Sequence, residues 1–119
     1  MKILKMDFMI YRQGDIFLAR LNPSKGNEPG KDRPVIVVQN DNLNEVGYQT
    51  CVVVPCSSVD MPTTSIRPEI KNECFEKTTY ALLDQVRAVD VDKRFLKKIG
   101  FLSLEEKEKI IYSLKELIL

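Results

Sequence analysis

"PVIVVQN" (residues 34–40) and "TCVVVP" (residues 50–55) decide the fold. Both are β-branched runs short enough to be buried strands. The intervening "DNLNEVGYQ" (residues 41–49) reads as a polar turn. If the two runs pair antiparallel, the start of the first lies beside the end of the second. Upstream, "GDIFLARL" (residues 14–21) reads as a further strand with Ile16 and Leu18 on one side. A long loop punctuated by Pro and Gly, "NPSKGNEPGKDR" (residues 22–33), joins it to the first valine-rich run. Pro34 pushes Arg33 into an extended conformation and opens the strand, where its missing N–H does least harm.

Downstream, "TTSIRPEIK" (residues 63–71) reads as a weaker strand, because Pro68 belongs at an edge or a bulge. "TYALLDQVRAVD" (residues 79–90) reads as one strand whose apolar phase changes between Leu83 and Val86, which places a bulge or bend near Asp84 and Gln85. "DKRFLKKIGFLS" (residues 92–103) holds a short turn of helix and a last strand. Ser103 and Glu106 have capping-box spacing, and Ile110, Ile111, Leu114, Leu117 and Ile118 recur at helical spacing, so residues 103–118 form an amphipathic helix. Short strands closed by one helix make a mainly β protein, a compact SH3-like barrel with a C-terminal α-helix. The helix is expected to pack its apolar stripe on the barrel, with part of the stripe equally able to face a second subunit.

At 119 residues and 13.7 kDa the chain suits one domain with a modest core, residues 1–119, in which residues 1–11 are an N-terminal extension. The composition, 44% hydrophobic and 29% charged, is that of an ordinary globular protein and excludes a disordered or fibrous chain. No apolar run has membrane-spanning length, and "MKILKMDFMI" carries Lys5 and Asp7 where a secretory core would have to be. A cytoplasmic protein without a membrane partner is expected. Three cysteines, Cys51, Cys56 and Cys74, fit neither a disulfide framework nor a zinc knuckle and are expected to be reduced and mostly buried. A net charge of +1 excludes a wholly basic surface while allowing a local basic cleft.

The chain has no histidine. Any chemistry therefore uses arginine, carboxylates, hydroxyls or thiols. A loop arginine ordinarily pairs with a nearby carboxylate, here Glu28 or Asp32. Arg33 differs in its placement, since a guanidinium at the root of a rigid strand, beneath a Gly-rich loop, can present its fork to a phosphate. "PCSS" (residues 55–58) ends the second run, so antiparallel pairing brings Ser57 to the same rim. Alone, Ser57 and Ser58 would simply bond turn backbone. Cys56 lacks an activating base and reads as structural. In "LLDQVR" (residues 82–87), Asp84, Gln85 and Arg87 form either a salt-bridged sheet face or a set of polar groups that read unpaired bases.

These residues carry a resemblance. From about Arg12 to the final helix the chain resembles the MazF/PemK (Kid) family of toxin endoribonucleases, in "GDI" (14–16), "NPSKGNEPGKDRPVIVVQND" (22–41), "VVPCSS" (53–58), "MPT" (61–63) and "LLDQVRAVD" (82–90). The resemblance implies a CcdB/MazF-like barrel, a homodimer, and metal-independent, cofactor-free cleavage of single-stranded RNA at short sequences to a 2′,3′-cyclic phosphate and a 5′-hydroxyl. It also implies a cognate acidic antitoxin. Carried over by position, the essential arginine is Arg33, the active-site hydroxyl is Ser57 where the family commonly has threonine, and the loop glutamate is Glu28. The RNA-contacting set implied is Lys25, Asn27, Ser58, Pro62, Thr63, Asp84, Gln85 and Arg87, with Lys31 among the cleft cations. Two alternatives stand beside this reading: a CcdB-like gyrase-binding toxin and a non-catalytic RNA-binding SH3-like module. The first looks to a C-terminal tryptophan, whereas this chain has none and ends in Leu117, Ile118 and Leu119.

Overall fold

A computed structural model describes residues 10–21, 26, 31–60, 62 and 64–119. Lys25, Asn27, Glu28 and Thr63, and all but the end of the N-terminal extension, lie outside the described residues. Strand β1 (Asp15–Arg20) pairs antiparallel with β2 (Asp32–Val37), placing Ile16 opposite Ile36 and Ala19 opposite Arg33. A short helix, α1 (Asp41–Glu45), sits where a simple turn was expected, and the Asn40 side chain caps it by accepting the Asn42 N–H at 2.7 Å. Strand β3 (Thr50–Ser57) returns against β2 in the register Val35 to Pro55, Ile36 to Val54 and Val37 to Val53.

The remaining strands are β4 (Glu69–Ile70), β5 (Thr79–Ala81), β6 (Arg87–Asp90) and β7 (Phe95–Phe101). The sheet runs β4-β5-β3-β2-β1-β7, with β6 paired to β3. It is a curled antiparallel half-barrel, the expected mainly β architecture. Helix α2 (Val91–Arg94) is a single turn capped by Asp90, and α3 (Leu104–Ile118) closes the chain.

The expected strand over residues 79–90 is two strands. Both pair with β3, β6 along its first half and β5 along its end, and a 3-10 turn at Leu83–Gln85 divides them. The reason lies in Pro55. Its carbonyl accepts the Leu82 N–H at 2.9 Å, so its nitrogen faces the same neighbour and has no hydrogen to donate. The ladder breaks at that point, and the chain turns there. The expected strand over residues 63–71 contracts to the edge pair of β4, after a tight turn bridged between Thr64 and Arg67.

Both faces of the central strands are buried, which is why their sequences read as continuous apolar runs. Phe17, Ala19, Val35, Val37 and Val53 face one core with Phe95; Ile16, Ile36 and Val54 face another, with Ile110 and Leu114 of α3. In the first core the Phe17 and Phe95 rings stack at 4.6 Å, and Tyr11 meets Phe95 edge-on at 5.8 Å. Gly14 of "GDI" adopts φ +97, a left-handed conformation, while its N–H bonds Val37 and its carbonyl accepts from Leu102. This joins β1 to the approach of α3.

At the start of α3 the Ser103 hydroxyl accepts the Glu106 N–H at 3.1 Å, one half of the expected capping box. The Glu106 carboxylate does not reach back; it accepts the Lys71 N–H at 3.0 Å and ties the helix to the end of β4. Of the helical stripe, Ile110 and Leu114 are buried, while Leu117 and Ile118 are exposed. No helix of the described residues is long and apolar enough to cross a membrane.

Phe95 is wholly buried between two rings, so Phe95→Ala should destabilise the fold by about 3–5 kcal/mol in urea unfolding. Tyr112→Ala, on the outer face of α3, should stay within about 0.5 kcal/mol. Equal losses would contradict this account of the core.

Candidate active site

The β2–β3 register carries the site. Continued past Val35 and Pro55, it sets Arg33 beside the end of β3. Arg33 Nη1 donates to the Cys56 carbonyl at 3.3 Å. The half-buried Ser57 is the next residue. Its Oγ accepts the Val59 N–H at 3.2 Å, which fixes the hydroxyl oxygen and leaves its hydrogen to donate. The backbone-bonding role weighed for Ser57 and its place beside Arg33 are thus both present.

Arg33, Ser57 and Ser58 line one cleft of about 390 Å³. One wall is Lys31, Asp32, Arg33 and Pro34 at the start of β2; the other is the end of β3 and the segment leading into β5. That segment, with Cys74, Phe75, Glu76, Lys77 and Thr79, is the part of the site that sequence reading missed. The available signal was the pairing of β5 with the end of β3, Cys56 opposite Ala81 and Ser57 opposite Tyr80, which forces the preceding residues past the rim.

Burial disfavours the thiolate form of the cysteines. Burial pushes the Cys56 thiol far above its ordinary range, Cys74 adds to the rise, and Arg33 lowers it only in part. Burial likewise pushes Cys51 up to about 12. Among the described residues no three His, Cys, Asp or Glu side chains gather as a metal site.

Asp84, Gln85, Arg87 and Pro62 do not line this cleft. Asp84 and Gln85 lie in the 3-10 turn that hangs from Pro55, and Arg87 lies in β6 opposite Val53. Arg67 grips Asp84 with both arms, Nε to Oδ1 at 3.1 Å and Nη2 to Oδ2 at 2.9 Å. Of the two readings of "LLDQVR", the salt-bridged one describes Asp84, although its partner is Arg67 from the preceding turn.

Hydrogen bonding from Arg67 holds the Asp84 carboxyl below the usual carboxylate range. A depressed folded-state value means that this contribution to stability is present above about pH 4 and lost as pH falls through the depressed value. The pair is about a third exposed, 34% and 29% for the two side chains, so it contributes at most about 1 kcal/mol. Asp84→Asn should therefore lower stability slightly at pH 7 and converge with the parent in strong acid, measured by urea midpoints across pH. A constant gap at all pH values would contradict the ion-pair account.

The sequence from residue 12 to 118 matches the model of a family described as PemK-like, MazF-like toxin of type II toxin-antitoxin system. It is 34% identical over 94 residues to the endoribonuclease MazF of Staphylococcus epidermidis, covering 77% of this chain and 78% of that protein. In structure it is similar to MazF from Deinococcus radiodurans, with TM-score 0.76 and 16% identity over 92% of this chain and 96% of the other. It is also similar to a mycobacterial endoribonuclease solved in complex with its cognate antitoxin, with TM-score 0.73 and 16% identity over 91% and 94%. The structural likenesses speak to the fold and the sequence matches to descent: this chain belongs to the PemK-like, MazF-like family of toxins of type II toxin–antitoxin systems.

Proposed function

We propose that this MazF-like toxin endoribonuclease cuts single-stranded RNA in the cleft between Arg33 and Ser57 without a metal. The observation that carries the reading is that a guanidinium anchored on the Cys56 carbonyl and the adjacent Ser57 hydroxyl line the same cleft. The nucleophile belongs to the substrate. The ribose 2′-oxygen attacks the adjacent phosphorus, the bond from phosphorus to the 5′-oxygen breaks, and the products are a 2′,3′-cyclic phosphate and a 5′-hydroxyl. One proton leaves the 2′-hydroxyl and one is gained by the departing 5′-oxygen.

Negative charge builds on the non-bridging oxygens as the new bond forms. Arg33 neutralises it, and Ser57 donates to one oxygen and orients the phosphate. Arg33 acts by its charge, because a guanidinium hardly ever gives up its proton in a protein. Glu28 is the proton acceptor in this reading. Serine in place of the commoner threonine keeps the donor and loses the methyl group that stiffens the rotamer. Gln85 and Arg87, which lie outside the cleft lining, would contact unpaired bases further along the strand, while Asp84 is held by Arg67.

The family and the sequence likeness favour this reading over a gyrase-binding toxin or a silent module. The antitoxin complex among the similar structures supports an antitoxin partner; in this reading that partner is acidic and lies over the same cleft, where Lys31, Arg33 and Lys77 would attract it. The exposed Leu117 and Ile118 support a homodimer.

Mixed-sequence RNA should be cut in EDTA, and a 2′-deoxy sugar at the mapped cut position should block the reaction. Arg33→Lys should lose on the order of a hundredfold or more in rate, while Ser57→Thr should match or exceed the parent. Cleavage of the 2′-deoxy substrate, or activity that returns only with a divalent metal, would sink the reading. With the cleavage-impaired Arg33→Ala protein, the acidic peptide encoded beside the toxin should displace labelled RNA; a stable ternary complex would show that inhibition acts elsewhere.

A further inference from the structure

Lys31 is the only non-glycine residue with positive φ among the described residues, at φ 65. The hairpin imposes this conformation. The Lys31 carbonyl accepts the Leu21 N–H at 2.9 Å, and the next residue pairs with β1, Asp32 opposite Arg20. The backbone there asks for glycine, since a β-carbon in the left-handed region crowds the following carbonyl. The sequence supplies a long cation instead, and strain of this kind gathers where a side chain is needed.

The surroundings say what that need is. Lys31 is exposed and lines the cleft two residues before Arg33, with Lys77 on the opposite wall. Of the two carboxylates in the same lining, Asp32 is drawn towards Arg20, at 3.5 Å and outside the cleft. Among the described lining residues the cations Lys31, Arg33 and Lys77 outnumber the remaining carboxylate, Glu76, a balance suited to a polyanion. Lysine also suits the task as a compact point charge that follows a flexible phosphate without the planar match an arginine demands.

We propose that Lys31 binds an RNA phosphate beside the one held by Arg33 and Ser57, and that its ammonium is why a strained lysine stands at a glycine position. This rests on the RNA-cleaving reading above. The contact is to the backbone, so it adds affinity and aligns the strand without selecting bases.

The test uses fluorescent mixed-sequence RNA with 2′-fluoro sugars, which binds but cannot cyclise, titrated at several salt concentrations. Lys31→Gly should keep the parent melting temperature to within roughly 2 °C or raise it, because relief of strain offsets the added freedom of the unfolded chain. It should bind RNA several-fold more weakly at low salt, and the slope of log affinity against log salt should be shallower by about 0.7, the loss of one phosphate contact on a single strand. Lys31→Arg, which keeps the charge and the strain, should keep both affinity and slope. If Lys31→Gly binds with parent affinity and slope while the parent cuts natural RNA, the Lys31 assignment alone is overturned. A clear fall in its melting temperature would overturn the strain argument and with it the proposal. If the parent neither binds nor cuts RNA, the functional reading itself fails.

Discussion

The register of β2 against β3 is the constraint on which the rest of the molecule depends. With Val35 opposite Pro55 and Val37 opposite Val53, the inward valines of both strands meet in one core while Ile36 and Val54 meet the other, under α3. A slip of one residue would exchange the two faces, moving every side chain to the wrong core. It would also separate Arg33 from the end of β3. The packing that fixes the register therefore fixes the cleft, and hydrophobic complementarity far from the rim sets the position of a guanidinium and a hydroxyl at it.

Pro55 supplies a second constraint through what it lacks. Without an N–H to offer on the β5 side, β3 cannot keep one partner along its length, so β6 pairs with its first half and β5 with its end. The turn between them is pushed out, carrying Asp84 to Arg67. The segment before β5 is drawn in beside Ser57, and this builds the far wall of the cleft. One missing hydrogen thus divides a strand, and the pairing that results sets the far wall of the cleft.

The parts of this architecture legible in the sequence were those set by local pattern. Valine and isoleucine runs marked the central strands because both faces are buried. The stripe of α3 marked its packing face, and Ser103 marked its start. Asp84 and Gln85 were flagged by a change of apolar phase, but phase alone does not distinguish a bulge from a complete break, which Pro55 decides from another strand. Glu106 was assigned to its own helix end by spacing and is taken by the Lys71 N–H, a partner 35 residues away. The wall formed by Phe75, Glu76 and Lys77 had no periodicity to read, since its placement follows from the long-range pairing of Tyr80 and Ala81 with β3. Arg33 and Ser57 were legible because strand order alone brings them together, whereas Arg67 was not, because nothing local pairs it with Asp84.

A protein without histidine must make its catalytic field from groups that do not change charge near neutral pH. Such a field works only if it is held in place before the substrate arrives, because reorienting dipoles during the reaction would cancel much of the gain. Here Arg33, at the start of β2, is held by the Cys56 carbonyl, and Ser57, at the end of β3, by the Val59 N–H, and both strands are paired along both edges. The raised thiol of Cys56 fits the same logic. Burial disfavours the Cys56 thiolate, so this lining residue adds no competing negative charge to a cleft that, in the proposed reaction, stabilises one. In the proposed reaction the fixed charge of Arg33 stabilises the developing anion, and the two proton movements would fall to Glu28 and the departing oxygen.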